Sequence, residues 1–152
     1  MLTQPDKKTG RGQKPSNSLF NSGAQEVEIL QPDNLNDGTF KESLLAKEID
    51  LLVVVAYGKL IPDWMLSYPK YGCLNVHFSL LPKYRGAAPM QRAICNGDSI
   101  TGISFMSLVN ELDAGPVYES CVHEIGSSDI FQLEDALLAL SLEKINTVIE
   151  KI

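Results

Sequence analysis

Apolar residues along this chain fall into short runs separated by polar, Gly- and Pro-containing segments. Residues 27–30 are a strand candidate stopped by Gln31-Pro32-Asp33. Thr39-Phe40-Lys41-Glu42 reads as a capping box and predicts a helix running to about Glu48. Residues 51–55 form a continuous apolar run which, reached from a helix, suits a strand buried on both faces of a parallel sheet. Ala56-Tyr57-Gly58 ends it. Pro62 opens a short helix through Leu66, and Tyr68-Pro69-Lys70-Tyr71-Gly72 leads into a strand at Cys73–His77. Pro89 starts another helix that closes at Asn96-Gly97, and residues 102–108 and Val117–Glu124 read as strands. Ser127-Ser128-Asp129 caps a long helix. On it Leu138, Leu142, Ile145, Ile149 and Ile152 recur at spacings of three and four, a stripe expected to pack on the sheet.

Strands alternating with helices predict an α/β domain of three layers with a mostly parallel sheet, whose ligands sit outside the carboxyl ends of the strands. Tyr57-Gly58 and Asn75-Val76-His77 both lie at such ends. Residues 3–23, rich in Lys, Gly, Pro, Ser and Asn, carry neither period and read as a long mobile loop. The chain has no internal repeat and no G-x-G-x-x-G or G-x-x-x-x-G-K-[ST] sequence, so nothing supports a phosphate-cradling cofactor loop.

Composition narrows the class. A chain of 152 residues is most simply one domain, and none of its apolar runs approaches the roughly 20 residues that span a bilayer. The first twenty residues lack the apolar middle of a signal peptide, so a soluble cytosolic protein is expected. Cys73, Cys95 and Cys121 are widely spaced and read as reduced, packed thiols, with no metal-ligand spacing. The net charge of -6 argues against indiscriminate binding to nucleic acid. Lys7, Lys8, Arg11 and Lys14 nevertheless make the amino end basic, which leaves room for a local phosphate contact.

The candidate chemistry is concentrated at Cys73–His77. Side chains alternate across a strand, so Asn75 and His77 project from one face and Leu74 and Val76 from the other. An amide donor and a group that exchanges a proton near neutrality can together stabilise a developing oxyanion. Each alone reads equally well as a hydrogen-bonded strand end. Asp113, in the turn Glu111-Leu112-Asp113-Ala114-Gly115-Pro116, reads as a turn residue by itself. If the turn folds over the Asn75 and His77 face, its carboxylate can orient His77 or accept a proton. The segment 79–86 places Leu80 and Leu81 beside Lys83 and Arg85, composition that suits the wall of a pocket for a flat, partly apolar ligand with acidic groups.

Asn75-Val76-His77 with Ser79-Leu80-Leu81-Pro82, followed by Leu112-Asp113-Ala114-Gly115, resembles the signature of the folate-dependent formyltransferases. Tyr84-Arg85-Gly86-Ala87-Ala88-Pro89-Met90-Gln91-Arg92, Thr3-Gln4-Pro5-Asp6 and Gly10-Arg11-Gly12 are similar to the branch of that family that acts on methionyl-tRNA. The resemblance implies a Rossmann-like formyltransferase fold and transfer of a formyl group from 10-formyltetrahydrofolate to the α-amine of initiator methionyl-tRNA. It implies Asn75, His77 and Asp113 as the catalytic residues. Ser79, Leu80, Leu81 and Pro82 would contact folate near Val55, Tyr57 and Gly58, and Arg11 would contact tRNA.

The family begins with a strand and a Gly-Thr-Pro loop and ends with a β-barrel domain. This chain starts at the end of the following strand and stops after the long helix, so it reads as a partial catalytic domain. Residues 1–23 are its basic loop and 24–152 its α/β core, lacking the family's first strand and carboxyl-terminal barrel. A complete form is expected to be monomeric, and the isolated chain poorly stable. Phe78, where a small residue is common, is expected to narrow the pocket rim. A sugar-nucleotide N-formyltransferase and a nonenzymatic folate- or tRNA-binding remnant are the alternatives.

Overall fold

The protein is seen in a computed structural model that describes residues 1–5 and 27–152, together with the backbone of β1 (Lys8–Thr9) and β2 (Lys14–Pro15). It divides into two compact units, Met1–Lys47 and Glu48–Ile152. In the first, β1 and β2 pair antiparallel inside the segment expected to be a loop. The strand expected at 27–30 is reduced to a single parallel bridge between Leu2 and Leu30, with Thr3 N–H donating to the Leu30 carbonyl at 2.9 Å. Helix α1 (Gly38–Leu45) starts earlier than the Thr39 capping box predicts. Asp37 is its cap, because its carboxylate accepts from Phe40 N at 3.0 Å and satisfies an otherwise orphaned amide.

The second unit holds β3 (Leu52–Val55), α2 (Asp63–Leu66), β4 (Cys73–His77), α3 (Pro89–Cys95), β5 (Ile100–Ser107), β6 (Val117–Glu124) and α4 (Ile130–Ile149). Its four strands lie in the order β3-β4-β5-β6. Only β3 and β4 run parallel; β4–β5 and β5–β6 are antiparallel, so the sheet is mixed rather than mostly parallel. The cause is the path after β4. Helix α3, seven residues long, lies in a path from Phe78 to Ser99 that does not cross back to the start of β4. The chain re-enters the sheet where it left, with Ser104 opposite His77, and runs back. Residues 51–55 also depart from expectation: β3 is the edge of this sheet, and Val53 and Val55 are exposed.

Leu74, Val76 and Phe78 face one way, into a core with Ala93, Ile103, Phe105, Leu133, Leu137 and Val148. Helices α3 and α4 pack on this face, touching β5 and each other. The opposite face carries Asn75, His77 and Ser104 and is covered by loops, so the expected three layers reduce here to a helix layer, a sheet and a loop cover. Helix α4 is capped at Asp129 as its sequence predicts: Asp129 accepts from Gln132 N at 2.9 Å and Gln132 Oε1 accepts from Asp129 N at 3.0 Å. Of the expected stripe, Ile145 and Ile152 pack against the core, but the buried positions are others. Leu133, Leu137, Ser141 and Val148 are buried, whereas Leu142 is 73% exposed. The helix is apolar on two faces about 100° apart, and the sheet takes the face one residue back from the expected one. Among the described residues no helix is long and apolar enough to cross a membrane.

Candidate active site

Strand β4 presents Asn75 and His77 from one face, as the period of two requires. Asn75 is 9% exposed, and among the described residues no hydrogen bond engages its side chain. His77 is held from both sides. Its Nε2 lies 3.0 Å from the Tyr84 carbonyl oxygen, which can only accept, so Nε2 carries a proton. Its Nδ1 faces Asp113 Oδ2 at 3.6 Å, with both side chains about nine-tenths buried. The same Oδ2 accepts Gly86 N–H at 2.7 Å. The fold therefore sets Asp113 beside His77, on the strand face that also carries Asn75, and adds the backbone of Tyr84 and Gly86 to the set.

Asp113 reaches His77 because the connection between β5 and β6, residues 108–116, folds back along the polar face. Asp113 sits at φ 45, a left-handed conformation that Asp tolerates better than most residues. Gly115 permits the fold, since a Cβ there would stand 1.9 Å from the Ser107 carbonyl oxygen. Ala56, Tyr84 and Ala88 are also left-handed. Such costly conformations gather where the surroundings enforce them, and these lie on connections that follow β3 and β4.

The segment 79–86 is fastened to the sheet. Ser79 is fully buried and its hydroxyl donates to the Lys83 carbonyl at 2.5 Å. Ser104 Oγ donates to the Ser79 carbonyl at 2.7 Å and accepts Leu81 N–H at 3.0 Å. Leu80 lies over Gly102, where a Cβ would come within 2.7 Å of Leu80 Cδ2 and 2.0 Å of the Cys121 carbonyl. Gly102→Ala is therefore expected to cost about 1–3 kcal/mol of stability by overpacking. The urea midpoint of that variant is the check, and an unchanged midpoint would contradict the close approach of the Cys121 carbonyl to Gly102.

Of the residues expected to meet folate, Ser79 and Leu80 thus shape the loop from beneath. Leu81 is half-buried and Pro82 exposed. Val55 is exposed and pairs in register with Val76, one residue before His77, and Gly58 is exposed at φ 72. Tyr57 is half-buried, and burial pushes its phenol pKa up. Phe78 does not narrow a rim, because it is in the core. Lys83 is committed to Asp98 at 2.7 Å, and this hydrogen bond, followed by one from Tyr84 Oη at 2.7 Å, holds the Asp98 carboxyl below its usual range. Arg11 lies outside the described residues.

Ser104 and Gly102 escaped sequence reasoning although a signal existed. Gly102 and Ser104 alternate with Ile103 and Phe105, so one face of β5 is marked as small or polar at these two positions.

Comparison with known proteins places these features in context. The family model described as formyl transferase matches residues 1–144. The methionyl-tRNA formyltransferase of Dichelobacter nodosus is 44% identical over 154 residues, covering 100% of this chain and 49% of that protein. That of Thermotoga neapolitana is 42% identical over 155 residues, covering 100% of this chain and 50% of that protein. The chain spans about half the length of the curated relatives it matches. Among solved structures, phosphoribosylglycinamide formyltransferase from Bacillus halodurans superposes with a TM-score of 0.72 at 22% identity, over 83% of this chain and 69% of that one. Glycinamide ribonucleotide transformylase 1 from Geobacillus kaustophilus gives 0.66 at 28% identity, over 80% and 68%.

Proposed function

Because the chain belongs to the formyl transferase family, we propose that it transfers a formyl group from 10-formyltetrahydrofolate to the α-amine of initiator methionyl-tRNA. Asn75, His77 and Asp113 are its catalytic residues. The observation that carries this reading is the mostly buried Asn75 amide, free of hydrogen bonds beside the His77–Asp113 pair. Such an amide is a donor held ready for a ligand. The choice of methionyl-tRNA follows from relatives of that name at 42–44% identity across the whole chain.

The bound donor supplies an electrophilic formyl carbon to the attacking amine. Asn75 Nδ2 donates to the formyl oxygen as it gains negative charge, in place already and with no protein bond to break. His77 turns its Nε2–H from the Tyr84 carbonyl to the same oxygen. Asp113 lies on the other side of the ring and takes up the proton that the amine loses; as the bond between the formyl carbon and N10 of the folate breaks, that proton passes to N10 and tetrahydrofolate leaves. Leu81 and Pro82, with Val55, Tyr57 and Gly58, line the folate side, while Ser79 and Leu80 hold that wall in place. Arg11, in the basic amino-terminal segment, meets a tRNA phosphate. We assign the chemistry to residues 1–152 as a formyltransferase catalytic domain.

An acceptor panel tests the substrate. With labelled 10-formyltetrahydrofolate, methionyl-tRNA is expected to be formylated, and glycinamide ribonucleotide and an amino-sugar nucleotide are not. Formylation of the sugar nucleotide alone would transfer the site to the other branch of the family.

A further inference from the structure

We propose that Arg92 is a positioning residue for His77, acting through the carbonyl of Tyr84; this rests on the formyl-transfer reading. The Tyr84 oxygen accepts two donors, His77 Nε2 at 3.0 Å and Arg92 Nη2 at 3.1 Å. The same Nη2 donates to the Arg85 carbonyl at 2.5 Å, so one guanidinium grips two successive carbonyls. The next residue, Gly86, holds Asp113 at 2.7 Å. Residues 84–86 thus form a strap bonded to both members of the His77–Asp113 pair, and Arg92 fastens it to α3. The far side of the strap is fastened as well: the Tyr84 hydroxyl donates to Asp98 at 2.7 Å and accepts from Asn96 Nδ2 at 2.9 Å.

The shared acceptor has a consequence for catalysis. When His77 turns its Nε2–H toward the formyl oxygen, the Tyr84 carbonyl loses a donor. A part-buried acceptor left with none is penalised, and this would tie His77 to the strap. A carbonyl has two lone pairs, and Arg92 occupies the second. His77 can therefore leave without orphaning the oxygen, and the strap keeps its shape while it does. Arg92 touches no reacting atom; it sets how easily His77 is released.

The test compares Arg92→Met and Arg92→Lys with the wild-type chain, by steady-state formyl transfer to methionyl-tRNA and by nitrogen NMR of the imidazoles of His77 and His123. Arg92→Met is expected to lose roughly 10- to 100-fold in kcat with KM for both substrates within about threefold. Arg92→Lys, which restores a cationic donor without the guanidinium's grip on both carbonyls, recovers part of that loss. In Arg92→Met the His77 Nε2 resonance moves while that of His123 stays. An Arg92→Met enzyme with wild-type kcat overturns the inference, as does a loss that Arg92→Lys fails to relieve. If the wild-type chain itself transfers nothing, the formyl-transfer reading falls and the NMR decides Arg92 alone: a moved His77 resonance supports the coupling through Tyr84, and an unmoved one overturns it.

Discussion

Replacing His77 with alanine is expected to slow formyl transfer by about 100- to 10,000-fold, the range for loss of a positioned acid-base group. Two features of the site put His77 in that range. Its Nε2–H donates to the Tyr84 carbonyl at 3.0 Å and its Nδ1 faces Asp113 Oδ2 at 3.6 Å, so the ring is oriented before substrate arrives. It also stands on the same strand face as Asn75, so the two converge on one small volume. Substrate affinity should change little, because the interaction is made in the transition state, and the loss should fall on kcat. Truncation leaves the Tyr84 carbonyl with Arg92 as its remaining donor. The unfolding midpoint measured alongside separates a folding defect from a catalytic one. Undiminished turnover would remove His77 from the catalytic set.

Asn75→Ala makes a cleaner case. Its side chain makes no hydrogen bond among the described residues, so alanine leaves no protein partner unpaired. Removing such a group is close to neutral for stability. Removing a preorganised oxyanion donor, in contrast, costs about 100- to 1000-fold in rate. The expected outcome is therefore a large fall in kcat with a urea midpoint that barely changes. A structural role predicts the reverse, a lowered midpoint with turnover intact, and that result would remove Asn75 from the mechanism.

Local elements were largely legible in the sequence because their signals are local. The bounds of Cys73–His77 and Val117–Glu124, the cap at Asp129 and the shared face of Asn75 and His77 follow from periodicity and capping chemistry. Strand direction was not legible. It depends on where a connection delivers the chain rather than on its helix: the path with four-residue α2 ends in a parallel pair, and the path from Phe78 to Ser99 with seven-residue α3 in an antiparallel one. The buried face of α4 was misread because Leu138 and Leu142 form as good a stripe as Leu133 and Leu137, and only the sheet chooses between them.

The site shows the same division. Asn75 and His77 share a strand and are bound by its geometry, whereas Asp113 arrives from a distant connection whose course hangs on Gly115 passing close to Ser107. No spacing rule encodes that approach. Tyr84 and Gly86 were harder still, because they act through backbone atoms that every residue possesses, and Arg92 because its guanidinium binds such atoms. Ser79, for which the family resemblance implies a folate contact, is buried with its hydroxyl donating to the Lys83 carbonyl, a partner no sequence pattern announces.

The most direct measurement is the appearance of labelled formyl-methionine on tRNA when the wild-type chain, Asn75→Ala and His77→Ala are each given labelled 10-formyltetrahydrofolate and methionyl-tRNA. Formyl transfer by this site predicts label on the α-amine with wild type and a loss of about 100-fold or more in each variant. Equal labelling by all three, or folate and tRNA bound by the wild type with no label transferred, would contradict it.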